Sequence, residues 1–122
     1  MLNVFLVGCG GFVGAALRFL ISTRVQQGIG GHFPWGTFSV NIIGCLLIGF
    51  ISGLLLARPL HPSAGLLLVT GVLGGFTTFS SFGLDSLNLI SNGRIFSAML
   101  YVCSSVCVGL IAVWLGRLPF GK

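Results

Sequence analysis

The sequence predicts an all-α integral membrane protein with four transmembrane helices, the third of them broken. Three observations lead there. Of the 122 residues, 55% are hydrophobic and 6% charged, and the mean hydropathy is +1.10. A soluble domain carries about 25% charged residues, so this chain lacks the polar surface a soluble fold needs. Its apolar residues form four runs, 2–23, 36–57, 64–90 and 95–116, each long enough to cross a hydrocarbon core, which takes about 20 helical residues. Finally, residues 74–83, GGFTTFSSFG, set paired glycines and hydroxyls inside the third run. Polar atoms and irregular backbone at membrane depth are costly unless they line a cavity or bind something.

The elements follow in order. The first run holds Arg18 near its end and gives way to a Gly- and Pro-containing linker from Arg24 to Trp35. Trp35 then serves as an interfacial anchor for the second run. Pro59 and Pro62 mark the next turn, because proline punctuates helices. The third run is the longest, which suits a broken helix, and a short turn from Ser91 to Arg94 leads to the fourth. A β-barrel needs strands alternating apolar and polar residues over about 10 positions, and these runs do not alternate. The whole chain, 1–122, is expected to form one transmembrane domain. Glycines four apart (Gly10 and Gly14, Gly49 and Gly53, Gly71 and Gly75) predict close helix packing, since small residues let backbones approach in lipid.

Charge excludes some classes. The formal charge of +5 comes from Arg18, Arg24, Arg58, Arg94, Arg117 and Lys122 against Asp85 alone. Nucleic-acid binding needs a clustered basic patch, and these cations are scattered near the run ends. With four helices, Arg58, Arg117 and Lys122 lie on one side and Arg18, Arg24 and Arg94 on the other, three against three. Orientation follows an Arg/Lys excess in cytoplasmic loops, so this chain has no set orientation. A dimer of two oppositely inserted copies is the expectation. Cys9, Cys45, Cys103 and Cys107 lack the further ligands of a metal site and are expected as small thiols packed between helices. VFLVGCGGFVG resembles a dinucleotide-binding turn, but Val13 stands where glycine is needed and no βαβ pattern follows. MLNVFLVGC resembles a lipoprotein cleavage box, but no cation precedes its apolar run, as a leader requires.

Polar groups at depth mark the candidate site. Gly74 and Gly75 weaken the third helix, and unwound carbonyls at such breaks bind small cations in transporters. Phe76, Phe79 and Phe82 recur every three residues, which predicts one shared face, with Thr77, Thr78, Ser80 and Ser81 around it. Asn41, within GTFSVNIIG, must find partners for its amide. Arg18 reads as a snorkelling cation or a functional one.

GGFVGAALRF, GTFSVNIIG and GGFTTFSSF, in this order, resemble the Fluc fluoride-channel family of CrcB type, from about Gly10 to Tyr101. The resemblance implies a passive fluoride channel that rejects chloride and exports F⁻ across the cell (inner or plasma) membrane. It also implies an antiparallel dual-topology homodimer with two pores. Carried over residue by residue, Phe79 and Phe82 are the pore phenylalanines, Asn41 the pore amide, Ser80 and Ser81 the hydroxyl track, and Tyr101 a pore-lining aromatic. Gly74 and Thr77 supply carbonyls for a structural Na⁺ at the dimer interface, and Arg18 lines a vestibule. Asp85 stands where members often carry Glu.

Two other readings compete with this one. A small proton-coupled multidrug exporter needs a membrane-embedded acid, and the first run has none. A noncatalytic assembly subunit would suit the glycine faces but leaves the hydroxyls of GGFTTFSSF unexplained. His32 and His61 lie in linkers without a paired nucleophile, so no enzyme is expected.

Overall fold

The computed structural model describes residues 1–121; Lys122, assigned above to one membrane side, lies outside them. Helix α1 (Leu2–Ile29) is followed by α2 (Trp35–Ala57). The third span, Pro62–Ser91, is composite: the short α3 (Pro62–Gly65), a π-helical stretch Leu66–Leu73, the single turn α4 (Gly74–Phe76), a two-residue break, and α5 (Phe79–Ser91). Helix α6 (Ile95–Arg117) and a 3₁₀ turn (Leu118–Phe120) complete the fold. Four helical spans are thus long and apolar enough to cross a membrane, and the third is broken as expected.

Local chemistry sets the helix ends. Gly30 stops α1 with φ 71, a left-handed conformation open to glycine. Arg58 leaves the helix in extended geometry, as the residue before a proline prefers. At α3 the Ser63 N–H donates to His61 Nδ1 at 3.2 Å, and Pro62 occupies the first turn, where its missing N–H costs nothing.

The first span exceeds its expected end at Thr23, since α1 continues to Ile29. The expectation stopped at Arg24, the first linker charge, but backbone hydrogen bonding does not end where the lipid does. Gln26 reinforces the extra turns. Its Nε2 donates to the Phe33 carbonyl at 3.2 Å and its Oε1 accepts from Gly36 N–H at 3.0 Å.

Packing follows the glycines. Helix α1 lies chiefly against the π-helical stretch and also against α2 and α4, and α2 lies against α6. A methyl placed on Gly10 would meet the Leu67 carbonyl, one on Gly14 the Val72 carbonyl, and one on Gly75 the Gly11 carbonyl. Gly49 faces the Val113 backbone, Gly116 the Leu46 carbonyl, and Gly53 the Phe120 ring. The core is small: Val40, Leu73, Phe76, Leu89, Ala98, Tyr101 and Ala112 are buried. Outer faces carry exposed Phe5, Phe12, Phe19, Phe96 and Trp114, a surface made for lipid rather than water.

Two further expectations fail. Cys9, Cys103 and Cys107 are exposed and do not fill helix–helix seams within the chain, whereas half-buried Cys45 packs at the α2–α6 seam against Gly109. Phe76 does not share a face with Phe79 and Phe82. It is buried at 4% exposure whereas Phe79 is 84% exposed, because the break between them resets the helical phase.

Candidate functional site

The break is two residues of extended backbone. Thr77 has φ −85 and ψ 157, and Thr78 has φ −150 and ψ 118. The chain enters it through eight residues of π-helix, a wide and rarely sustained geometry that tends to occur at functional positions.

Interrupting a helix strands backbone groups, and side chains from two elements satisfy part of the set. Asn41 on α2 accepts from the Thr78 N–H at 2.8 Å and donates through Nδ2 to the Thr78 carbonyl at 3.0 Å. Thr78 caps α5, its Oγ1 accepting from the Ser81 N–H at 3.1 Å. The same hydroxyl lies 3.1 Å from Ser81 Oγ and 3.3 Å from Ser80 Oγ. Thr77 turns its hydroxyl back to the Leu73 carbonyl at 2.9 Å. Arg18 on α1 does not simply snorkel: its Nη1 reaches the Thr77 carbonyl at 3.4 Å.

The carbonyls at the break suit a hard cation. Thr77 N–H still bonds the Leu73 carbonyl at 2.9 Å. Asn41 has claimed the Thr78 N–H, so the Gly74 oxygen loses the donor that a continuous helix would supply. Among the described residues no group of three or more His, Cys, Asp or Glu could hold a metal. Carbonyl oxygens fit an alkali ion better than a transition metal, so the residues present match Na⁺ in kind.

A cavity of about 370 Å³ opens beside the break. It brings together five of the expected residues, Asn41, Gly74, Thr77, Phe79 and Phe82, with Thr78, Ser105 and apolar side chains of α2, the π-helical stretch and α6. No charged side chain lines it. The Phe79 and Phe82 ring centroids lie 5.5 Å apart. An aromatic ring carries its positive potential at the edge, and the Asn41 amide has a second N–H beyond the one given to Thr78.

Ser105 was missed at the sequence level. Its hydroxyl is buried with no hydrogen-bond partner, and it lines this cavity. The only hint was its place in the polar pair Ser104 and Ser105 within an apolar helix. Ser104 is instead satisfied by the Tyr101 carbonyl at 3.3 Å.

Residues 5–117 match the family model described as CrcB-like protein, Camphor Resistance (CrcB). This chain belongs to the CrcB-like family. A protein of Methylobacillus flagellatus named fluoride-specific ion channel FluC is 47% identical over 118 residues, covering 95% of this chain and 92% of the relative. Proteins of the same name from Rhizobium meliloti (41% identical, 95% and 94% covered) and Stutzerimonas stutzeri (46% identical, 92% and 91% covered) are also similar.

In this CrcB-like chain the remaining expected residues stand outside the cavity. Ser80 is exposed and Ser81 half-buried, both in the cap of α5. Tyr101 is fully buried, its ring centroid 5.2 Å from that of Phe82 and 5.4 Å from that of Phe33. Its hydroxyl donates to Asp85 Oδ2 at 3.5 Å. Asp85 in turn lines a second, more polar cavity of about 580 Å³ with Gln26, His32, Thr37, Asn88 and Arg94. This lies where α1 and α5 end and α2 and α6 begin.

Proposed function

We propose that this chain forms a passive, fluoride-selective channel that exports F⁻ and protects the cell from its toxicity. The activity is passage rather than catalysis. The observation that carries the reading is the chemistry of the cavity at the break. Phe79, Phe82, Asn41 and Ser105 line it together, with no formal charge among its lining residues. A pore must bind its ion firmly enough to admit it and weakly enough to release it. Neutral donors meet that demand for a small anion; a buried lysine or arginine would hold it. The relatives' name supports the same ion. Undissociated HF crosses bilayers and ionises in a neutral cytoplasm, so a passive F⁻ pore lets the trapped anion leave down its gradient.

The channel is a homodimer of inverted copies in the cell inner (plasma) membrane. Phe79 at 84% exposure and the carbonyl pair at Gly74 and Thr77, too few oxygens for an alkali ion by themselves, support a second copy. Two carbonyls from each chain hold one structural Na⁺ between the subunits, contributing positive field without being transported. Ser80, Ser81 and Tyr101 extend the polar path beyond the cavity, and Arg18 stands at its mouth.

Fluoride efflux from liposomes holding the purified protein, read with a fluoride electrode, tests the function. Rapid F⁻ release with negligible Cl⁻ release is expected. Phe79→Ile and Phe82→Ile should each abolish F⁻ release while the dimer still elutes at its normal size. Undiminished flux in both variants would refute this pore.

A further inference from the structure

The tilt of the Phe82 ring decides whether its positive edge or its negative face is turned to the cavity. Two rings flank it. Phe79, with its centroid 5.5 Å away, is exposed and has room to turn. Tyr101, 5.2 Å away at an interplanar angle of 46°, is fully buried, so it is the fixed reference. Tyr101 packs with Leu89 and Ala98, and Phe33, Phe38 and Phe82 close around that cluster. Phe33 meets the Tyr101 ring edge to face, at 5.4 Å and 84°. It comes from the connection between α1 and α2 and lines neither cavity.

Phe33 is itself held from every side. Its ring lies 4.4 Å from Trp35 and 5.9 Å from Phe38. Its carbonyl accepts from the Trp35 N–H at 2.8 Å and from Gln26 Nε2 at 3.2 Å. Gln26 Oε1 accepts from the Gly36 N–H at 3.0 Å, so one side chain of α1 clamps both ends of the turn. Gly30 and Gly31 take positive φ just before it, a geometry that glycine adopts without strain. Packed interiors transmit displacement, since they have little free volume to absorb it.

We infer that Phe33 is a positioning residue for the pore: clamped by Gln26, it sets the tilt of Phe82 through Tyr101. This rests on the fluoride-pore reading above and adds to it a residue that never meets the ion. The connection between α1 and α2 is then part of the conduction machinery, and a change there alters the ion's partner at the break.

Fluoride efflux from liposomes tests this, with initial rate and plateau read separately. The plateau counts vesicles holding a working channel; the rate per working channel reports the pore. Phe33→Leu should leave the plateau and the dimer's elution unchanged and slow the rate roughly fivefold, the size of one aromatic-pair preference. Phe33→Tyr keeps the ring and should stay near the parent. Gln26→Leu keeps every ring and removes the clamp, and should slow the rate about twofold. Tyr101 is the one tyrosine of the chain, so carbon-13 in tyrosine rings reports its flipping alone. Flipping should be faster in Phe33→Leu and Gln26→Leu than in the parent.

A lower plateau with an unchanged rate in Phe33→Leu would make the residue merely structural and overturn the inference. Equal slowing in Phe33→Leu and Phe33→Tyr would overturn it too, because the ring would not be what matters. Should Phe33→Leu fail to form a dimer, Gln26→Leu decides: parent-like efflux and parent-like flipping would overturn it. A parent without F⁻ efflux would remove the pore reading as well.

Discussion

The Asn41 amide meets Thr78 with both of its polar atoms, accepting the N–H at 2.8 Å and donating to the carbonyl at 3.0 Å. A side chain on one helix thereby stands in for a peptide group missing from another. Thr78 is at the edge of burial, with 9% exposure, so water offers its backbone little. The same amide still has one N–H to give, so a single residue both braces the break and faces the cavity.

Asn41→Leu, similar in size, should therefore damage the fold as well as the pore. It orphans two backbone groups at a cost of roughly 1–3 kcal/mol each. The expected result is a clearly lowered unfolding transition in detergent by circular dichroism, together with loss of F⁻ efflux. A variant that unfolds like its parent would show that the two hydrogen bonds carry no stability.

Ser105→Ala separates function from folding. The hydroxyl has no partner within the chain, so its removal should leave the unfolding transition unchanged or raised. Efflux should fall by about tenfold if the hydroxyl contributes one neutral hydrogen bond to the passing ion. Efflux equal to the parent's would take Ser105 out of the path.

Gly14→Ala probes the seam between α1 and the third span. The new methyl would collide with the Val72 carbonyl and the Phe76 nitrogen, backbone atoms that cannot swing aside. Overpacking of this kind costs roughly 1–3 kcal/mol, and poor recovery of dimer on a sizing column is the expected outcome. Gly28→Ala meets nothing within 4 Å and should elute as the parent does.

Orientation can be forced. Adding two lysines beside Arg58 should insert every copy one way up, because loop cations on the cytoplasmic side set topology. Such a variant, expressed alone, should give no fluoride resistance. Co-expression with a variant carrying added lysines beside Arg94 should restore it. Full resistance from either variant alone would argue against inverted pairing.

Much of this was legible in the residues. Run lengths gave four spans, and Gly74 and Gly75 with the hydroxyls after them located the break, because unusual residue types in apolar surroundings stand out. The glycine pairs found their partners for the same reason. What stayed hidden depends on phase and on distance. The break divides Phe76 from Phe79, and no count of residues reveals that helical spacing stops applying between them. Ser105 looked like Ser104 until their environments differed, one bonded to a carbonyl and the other left unpartnered. Arg18 was read from its nearness to a run end, while its contact with Thr77 lies 59 positions away in the chain.

The two halves of the third span belong to different neighbours. Its entry half is pressed backbone to backbone on α1, whereas α5 leans on α6. Any change in tilt between α1 and α6, such as a thicker or thinner bilayer imposes, must be absorbed at positions 77 and 78. Lipid chain length is then expected to act first at the junction of α4 and α5.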